Sequence, residues 1–371
     1  MRLTVSTSLL LDAATYAASV AAPKSPKRIL ECIAIRATKA DGVVLEATDL
    51  DVAVRLKLAE GRVEKEGTVV VPAARLVSVL REISEKDVTL VGADGRLEID
   101  TPDCHFRVNG DDPGELPVLP VFPAKAAFSV QLGIFRRMVR RTVFATAKEA
   151  GRFALHGVLL RGTKGLLEMV GTDGRRLARA THAVDLSGGK GATGEVKVIV
   201  GAKALGLIDR VASDDSANVE VALEERQILF RVGGTVLASR LIDGAFPSYE
   251  EVIPKPSKKM FSIRAGDFAT ALRRASLLTT KESQSVQMEI APKKMTCSSR
   301  AADIGEAKIE VEIPYEDSTE KLGFNPSFLL DALKVMDPAG AVKFEFTNGK
   351  SPGKLSDGDG YVYVVMPVSV E

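Results

Sequence analysis

The sequence predicts an α+β protein made of three copies of one domain, each with two helices and surrounding antiparallel strands. Three observations lead there. The order helix, short strands, helix, short strands occurs three times, at a period near 125 residues. A Thr-Asp turn recurs in the first two passes, with Thr172-Asp173 standing 124 positions after Thr48-Asp49. Two stretches rich in Pro, Gly and acids, VNGDDPGELPVLPVFP (108–123) and DGAFPSYEEVIPKPSKK (243–259), punctuate the chain between passes. The period is too long for a solenoid or propeller repeat. It fits a repeated layer of helices packed on sheets. The boundaries drawn from this pattern are 1–122, 128–250 and 251–371.

The elements follow in order. Each pass opens on an amphipathic helix: 9–21, 132–146 and 265–279. Strands come next, VVLEATDLDVAVRL (43–56) in the first pass and LLEMVGTDGRRLARA (166–180) in the second. Within the latter, Thr172-Asp173-Gly174 is turn chemistry, because Asp tolerates a tight bend and Gly supplies positive φ. The stretch therefore reads as a hairpin tip with Arg175, Arg176 and Leu177 just past the turn. A second helix per pass is announced by VVVPAARLVSVLREI (69–83), VIVGAKALGLIDRV (198–211) and GFNPSFLLDALKVM (323–336). Each pass closes on alternating strands, LEIDTPDCHFRV, ILFRVGGTVLASRLID and GYVYVVMPVSVE. The Gly-rich LSGGKGATGE (186–195) lacks the spacing of a phosphate-binding loop and reads as a surface loop.

Composition narrows the function class. Apolar residues are 45% and charged residues 27% of 371, the balance of a soluble globular protein. No apolar run approaches the ~20 residues that span a bilayer. Asp12 interrupts the apolar N-terminal stretch, so a signal-peptide layout is not expected and the chain reads as cytoplasmic. Cys32, Cys104 and Cys297 show no metal-binding spacing and read as buried thiols. No metal or other cofactor is expected. None of His105, His156 and His182 sits in a recognisable catalytic motif, and no constellation supplies nucleophile, base and orienting group. A non-catalytic binding protein is the expectation. An enzyme using Asp49, Asp173 and Asp243, and a scaffold binding only proteins, stay open as other readings.

Net charge is +1, so bulk electrostatics do not point to nucleic acid. Local charge does. At 100° per residue, Arg136, Arg137, Arg140 and Arg141 fall on one ~140° face of the helix at 132–146. Arg273 and Arg274 lie on the third-pass helix, and Arg75, Lys203 and Arg210 on or beside the second helices. Basic helices facing phosphates are expected. With no Trp and 5% aromatics, a base-stacking platform is not. Backbone contact without base readout remains.

VGTDGRRLA, LIDGAFPSYEEVIP and the C-terminal YVVMPV, together with the threefold repeat, give a resemblance that covers essentially the whole chain. It resembles the bacterial sliding clamps, the beta subunits of DNA polymerase III. The resemblance implies the DNA clamp fold. It also implies a head-to-tail homodimeric ring that encircles duplex DNA, with helices lining the hole. Partners implied are the polymerase catalytic subunit, the clamp loader and other proteins carrying a clamp-binding motif, with no membrane. A hydrophobic pocket between the second and third domains is implied for their peptides. Its parts here are Arg152, Leu155, Thr172, Gly174, Arg175, Arg176 and Leu177, then Pro247 and Val252, then Val364, Met366, Pro367 and Val368. Lys24 matches a basic position near the inner loop of the first domain. The implied dimer contact sets Val79, Phe106 and Val108 against Leu277 and Leu278. Glu149 and Glu251 depart from the family pattern. Packing geometry agrees with the dimer. Six helix axes at ~10 Å spacing make a circle about 19 Å across, leaving about 9 Å free, less than one ~12 Å major groove. Twelve leave about 28 Å, enough for a duplex.

Overall fold

The computed structural model describes residues 1–149, 154–163, 165–184, 196–211, 214–279, 285–301 and 304–368. The Gly-rich stretch 186–195 falls outside them. Six α-helices occur among the described residues: α1 (Thr7–Val20), α2 (Ala73–Glu82), α3 (Leu132–Thr142), α4 (Ala202–Ile208), α5 (Ala265–Ser276) and α6 (Pro326–Lys334). They are the six that the periodicity predicts. α3 ends earlier than expected, tightening into a 3-10 turn over Val143–Ala145. α6 begins at Pro326 with Asn325 as its cap, whose side chain accepts the Ser327 amide. α1 buries Leu10, Ala13, Ala14, Ala17 and Val20, and these mostly small residues let α2 approach closely through Leu76, Val77 and Leu80. None of the described helices is long and apolar enough to cross a membrane.

The chain divides into two compact units that do not follow the three passes. The first takes in Met1–Phe135 and Lys203–Leu241; the second takes in the strands from Gly157 to Val184 and the chain from Ile242 onward. The sheets explain this. In the first unit an eight-stranded antiparallel sheet runs Phe128–Gln131, Asn218–Leu223, Gln227–Val232, Thr235–Arg240, Val52–Lys57, Gly42–Thr48, Cys32–Thr38, Gly67–Pro72. First-pass and second-pass strands join where Leu237 stands opposite Val54. In the second unit the order is Val196–Gly201, Gly157–Thr163, Gly165–Thr172, Arg176–Val184, Tyr361–Val365, Gly353–Ser356, Ala341–Glu345, Met260–Arg264. Here the second and third passes join, with Leu177 opposite Val364.

Each unit also holds a smaller antiparallel sheet. That of the first unit has five strands and ends on His105–Asn109; that of the second has four and ends on Gly305–Glu312. The third-pass core is aromatic: Phe344 lies 5.5–5.9 Å from the rings of Phe261, Phe268, Phe324 and Phe346. The three cysteines are free, and two of them, Cys32 and Cys297, are buried. Burial is the main cause that pushes each of these two thiols up to about 12, with Asp111 contributing at Cys32.

Candidate functional site

The site is built on the turn after Gly165–Thr172. Thr172 Oγ1 donates to the Arg176 carbonyl at 2.6 Å and accepts from the Gly174 amide at 3.1 Å. Asp173 Oδ1 accepts the amides of Arg175 and Arg176 at 3.0 and 3.1 Å. Short polar side chains thus satisfy the backbone of a turn too tight for strand pairing. Gly174 has φ +86° and no heavy atom within 4 Å of where a Cβ would stand, so conformation and not crowding calls for glycine.

Arg176 is a strut. Its Nε donates to Asp173, its Nη1 to Asp331 at 2.6 Å, and its Nη2 to the Phe144 carbonyl at 2.9 Å. The guanidinium lies 4.5 Å over the Phe328 ring. Burial works against its charge, but Asp331 and Asp173 outweigh it and the pKa is raised. The strut fixes the hairpin to the 3-10 turn after α3 and to α6 from one side.

Beside the turn lies a cavity of about 200 Å³. Leu177 and Val364 are buried and pair in register across the strand joint. Leu155 and Pro247 add apolar wall, and Thr172, Gly174, Arg175 and Arg176 supply the turn side. Met366 is 41% exposed and Val252 46%, so apolar surface is offered to solvent here. The Met366 amide donates to the Arg175 carbonyl at 2.9 Å, tying the C-terminal strand end to the turn. Ten of the residues that the resemblance implies therefore meet at one cavity. Pro367 and Val368 do not line it: the Val368 amide turns to the Gly323 carbonyl at 2.9 Å. Arg152 lies outside the described residues.

Tyr249, which no sequence motif singles out, completes the wall. It is buried, and its hydroxyl donates to the buried carboxylate of Glu168, which also receives Arg179. Burial and this carboxylate both raise the tyrosine pKa. The aromatic inside FPSYEEV is the only sequence signal for it, and its partner lies 81 positions away.

The basic helices are placed less simply. On α3, Arg137 and Arg140 are exposed, whereas Arg136 and Arg141 are buried. This corrects the single four-arginine face. The exposed pair holds the middle of the ~140° arc and the buried pair its two edges, which turn into the unit. Arg141 donates to Asp357 at 2.6 Å and stands 5.2 Å over the Tyr361 ring, while Arg137 reaches Asp359 at 3.1 Å. Acids from a distant turn thus meet a face whose own helix carries none. Lys203 is also engaged, donating to Asp49 and to the Val20 carbonyl. Lys24, Arg75, Arg210, Arg273 and Arg274 are exposed. Phe106 and Val108 sit half-buried on the edge strand His105–Asn109, and Val79 is half-buried on α2. After α5, Leu277 is 73% exposed and Leu278 half-buried. Of the acids considered for an enzyme, Asp173 holds the turn and Asp49 the matching turn at Val52. No cluster of three or more metal-ligating side chains occurs among the described residues.

Comparison with known proteins agrees with this geometry. Models of the N-terminal, central and C-terminal domains of the DNA polymerase III beta subunit match residues 1–120, 129–248 and 250–369 in that order. A beta sliding clamp of Caulobacter vibrioides is 30% identical over 382 residues, covering 100% of both chains. One of Chlamydia muridarum is 29% identical over 88% of each. Among solved structures, the beta sliding clamp of C. crescentus aligns at TM-score 0.88 with 29% identity, and the DNA polymerase III beta subunit of Thermotoga maritima at 0.90 with 26%, both covering all of each chain. Three domain models in sequence and a relative matched end to end establish that this chain belongs to the DNA polymerase III beta subunit family, the bacterial beta sliding clamps.

Proposed function

We propose that the cavity beside the Thr172–Leu177 turn captures short extended peptides, and that two copies of the chain close head to tail into a ring around duplex DNA. The family role is the chain's role: a non-catalytic processivity factor of the replicative DNA polymerase. The observation that carries the peptide reading is the exposed apolar Met366 at a small cavity with a buried Leu177–Val364 floor. Apolar anchors fit such a floor, and turn residues can orient a peptide backbone. Polymerase catalytic subunit, clamp loader and repair proteins are the partners proposed.

For the ring, the support is six helices among the described residues, too few to surround a duplex, and two open sheet edges, His105–Asn109 and Gly305–Glu312. Closed rotation of a head-to-tail contact yields a ring. The three domains proposed are 1–122, 128–250 and 251–371, working in the cytoplasm. DNA contact is assigned to exposed cations, with Arg137, Arg140, Arg273 and Arg274 leading. Retention after loading on nicked circular DNA, with release on linearisation, tests the ring. Equal retention on both forms would mean binding by direct attraction and not by topology.

A further inference from the structure

We propose that a second cavity, on the first compact unit, binds a short acidic segment of a partner protein. Its volume is about 430 Å³, in the range of ligand pockets. The linker stretch 120–122 forms one wall, and strands Gly42–Thr48, Val52–Lys57, Gln227–Val232 and Thr235–Arg240, with Asp41 and Gly234 in the adjoining turns, contribute the rest. Val44 and Val236 give it an apolar side, and Val121 stands 67% exposed on the linker.

Charge selects the occupant. Arg55, Lys57 and Arg231 line the cavity against one acid, Asp41. Arg231 is spent: Glu220 takes its Nε and Nη2 at 2.6 and 2.7 Å, and its guanidinium lies 4.2 Å over the Phe122 ring. Arg55 is only 3.5 Å from Glu46, a carboxylate that Arg36 already holds at 2.5 Å. Lys57 is exposed and makes no ion pair among the described residues. With Asp41 counted, a net positive charge remains for about one carboxylate, centred on Lys57 and Arg55, with apolar surface beside it for a small aliphatic side chain. A nucleotide fits worse. Phe122 is the one aromatic in the lining, it is buried, and Arg231 covers its face, so no ring is left for a base to stack on.

The test uses the full-length protein and two fluorescein-labelled pentapeptides, acetyl-Asp-Leu-Asp-Val-Glu amide and its Asn/Gln counterpart, read by anisotropy. The acidic probe is expected to bind the wild type, weaken with salt, and outbind the neutral probe. Lys57→Glu should weaken it about tenfold, a reversed charge counting for roughly two exposed pairs. Being exposed, this position should leave folding intact, which circular dichroism checks. Met366→Ala should leave acidic-probe binding unchanged, which separates this cavity from the first one. The proposal is overturned by no binding at millimolar protein, by equal binding of the two probes, by insensitivity to Lys57→Glu, by abolished binding in Met366→Ala, or by displacement at micromolar ATP.

Discussion

Met366→Ala isolates the peptide cavity from the rest of the fold. Burying a methionine side chain fully is worth about 1.5–3 kcal/mol. In the free protein Met366 is 41% exposed, so about two-fifths of that, some 0.6–1.2 kcal/mol, remains for a ligand to gain. The void left under a bound side chain adds to the penalty. A total of about 1–2 kcal/mol follows, a fivefold to thirtyfold weakening. The Met366 backbone amide still reaches the Arg175 carbonyl in the variant, so the turn should keep its shape. The assay is anisotropy of a labelled peptide carrying a Gln and a Leu-Phe pair, with Leu177→Ala as companion. Leu177 is buried in a cluster with Val170, Val364 and Tyr249, so its truncation should cost about 2–5 kcal/mol of stability as well as affinity. Unchanged affinity in a folded Met366→Ala protein would refute the reasoning and move the partner site elsewhere.

Replacing Leu277 and Leu278 together by Ala should shift the sedimentation mass from dimer to monomer; a wild type that is monomeric at micromolar concentration would reject the ring. Reversing Arg137 and Arg140 should lower the log–log salt slope of DNA binding by roughly 0.9 for each phosphate no longer neutralised, whereas Arg141→Ala should chiefly destabilise the second unit, because it strands Asp357. Burial opposes ionisation of Glu345, yet Lys354 at 2.9 Å and Lys343 at 3.4 Å hold its carboxyl below the usual range. The pairing therefore stabilises above the ordinary value of 4.5 and fades as pH falls through the lower folded value; acid denaturation curves should show this, and Lys354→Met should flatten it. Gly174→Ala forces a side chain to φ +86° and should cost about 1 kcal/mol in chemical denaturation, while Leu50→Gly at φ +80° should be neutral or stabilising.

What the sequence made legible was local. Helix periodicity located the six helices of the described residues, and Thr172-Asp173-Gly174 announced its turn because the hydrogen bonds that make it lie within four residues. What it hid was non-local. The Asp331 that locks Arg176 is 155 positions away, and the acids that engage Arg141 come from a turn more than 200 positions later. No period in the chain reveals such partners, so four arginines looked equivalent when only two face solvent. The same limit applies to the units. A repeat reports which residues share an ancestor's pattern, whereas compactness depends on which strands pair, and strands at each joint pair across passes.

The two joints show how one turn was put to two uses. Thr48 Oγ1 donates to the Val52 carbonyl and accepts from the Leu50 amide, and Asp49 takes the amides of Asp51 and Val52. This is the hydrogen-bond pattern of Thr172 and Asp173, with Leu50 at φ +80° where Gly174 has +86°. The strands after both turns pair with the last strand of the following pass, Ala53 opposite Ala238 and Leu177 opposite Val364. What differs is the filling. At the first joint the linker's Phe122 packs onto Ala53, Ala222, Leu229 and Ala238, and the cavity left beside it is lined by Arg55 and Lys57. At the second, the larger Leu177 stands where the first has alanine, Tyr249 packs with it while its hydroxyl reaches Glu168, and Met366 extends past the strand end toward solvent. Small residues under a large linker ring leave a cavity lined by charged side chains at one joint, and a larger floor with an exposed Met366 leaves an apolar one at the other. The second joint is the one whose exposed surface is mainly apolar, and so the one suited to apolar anchor side chains from a second protein.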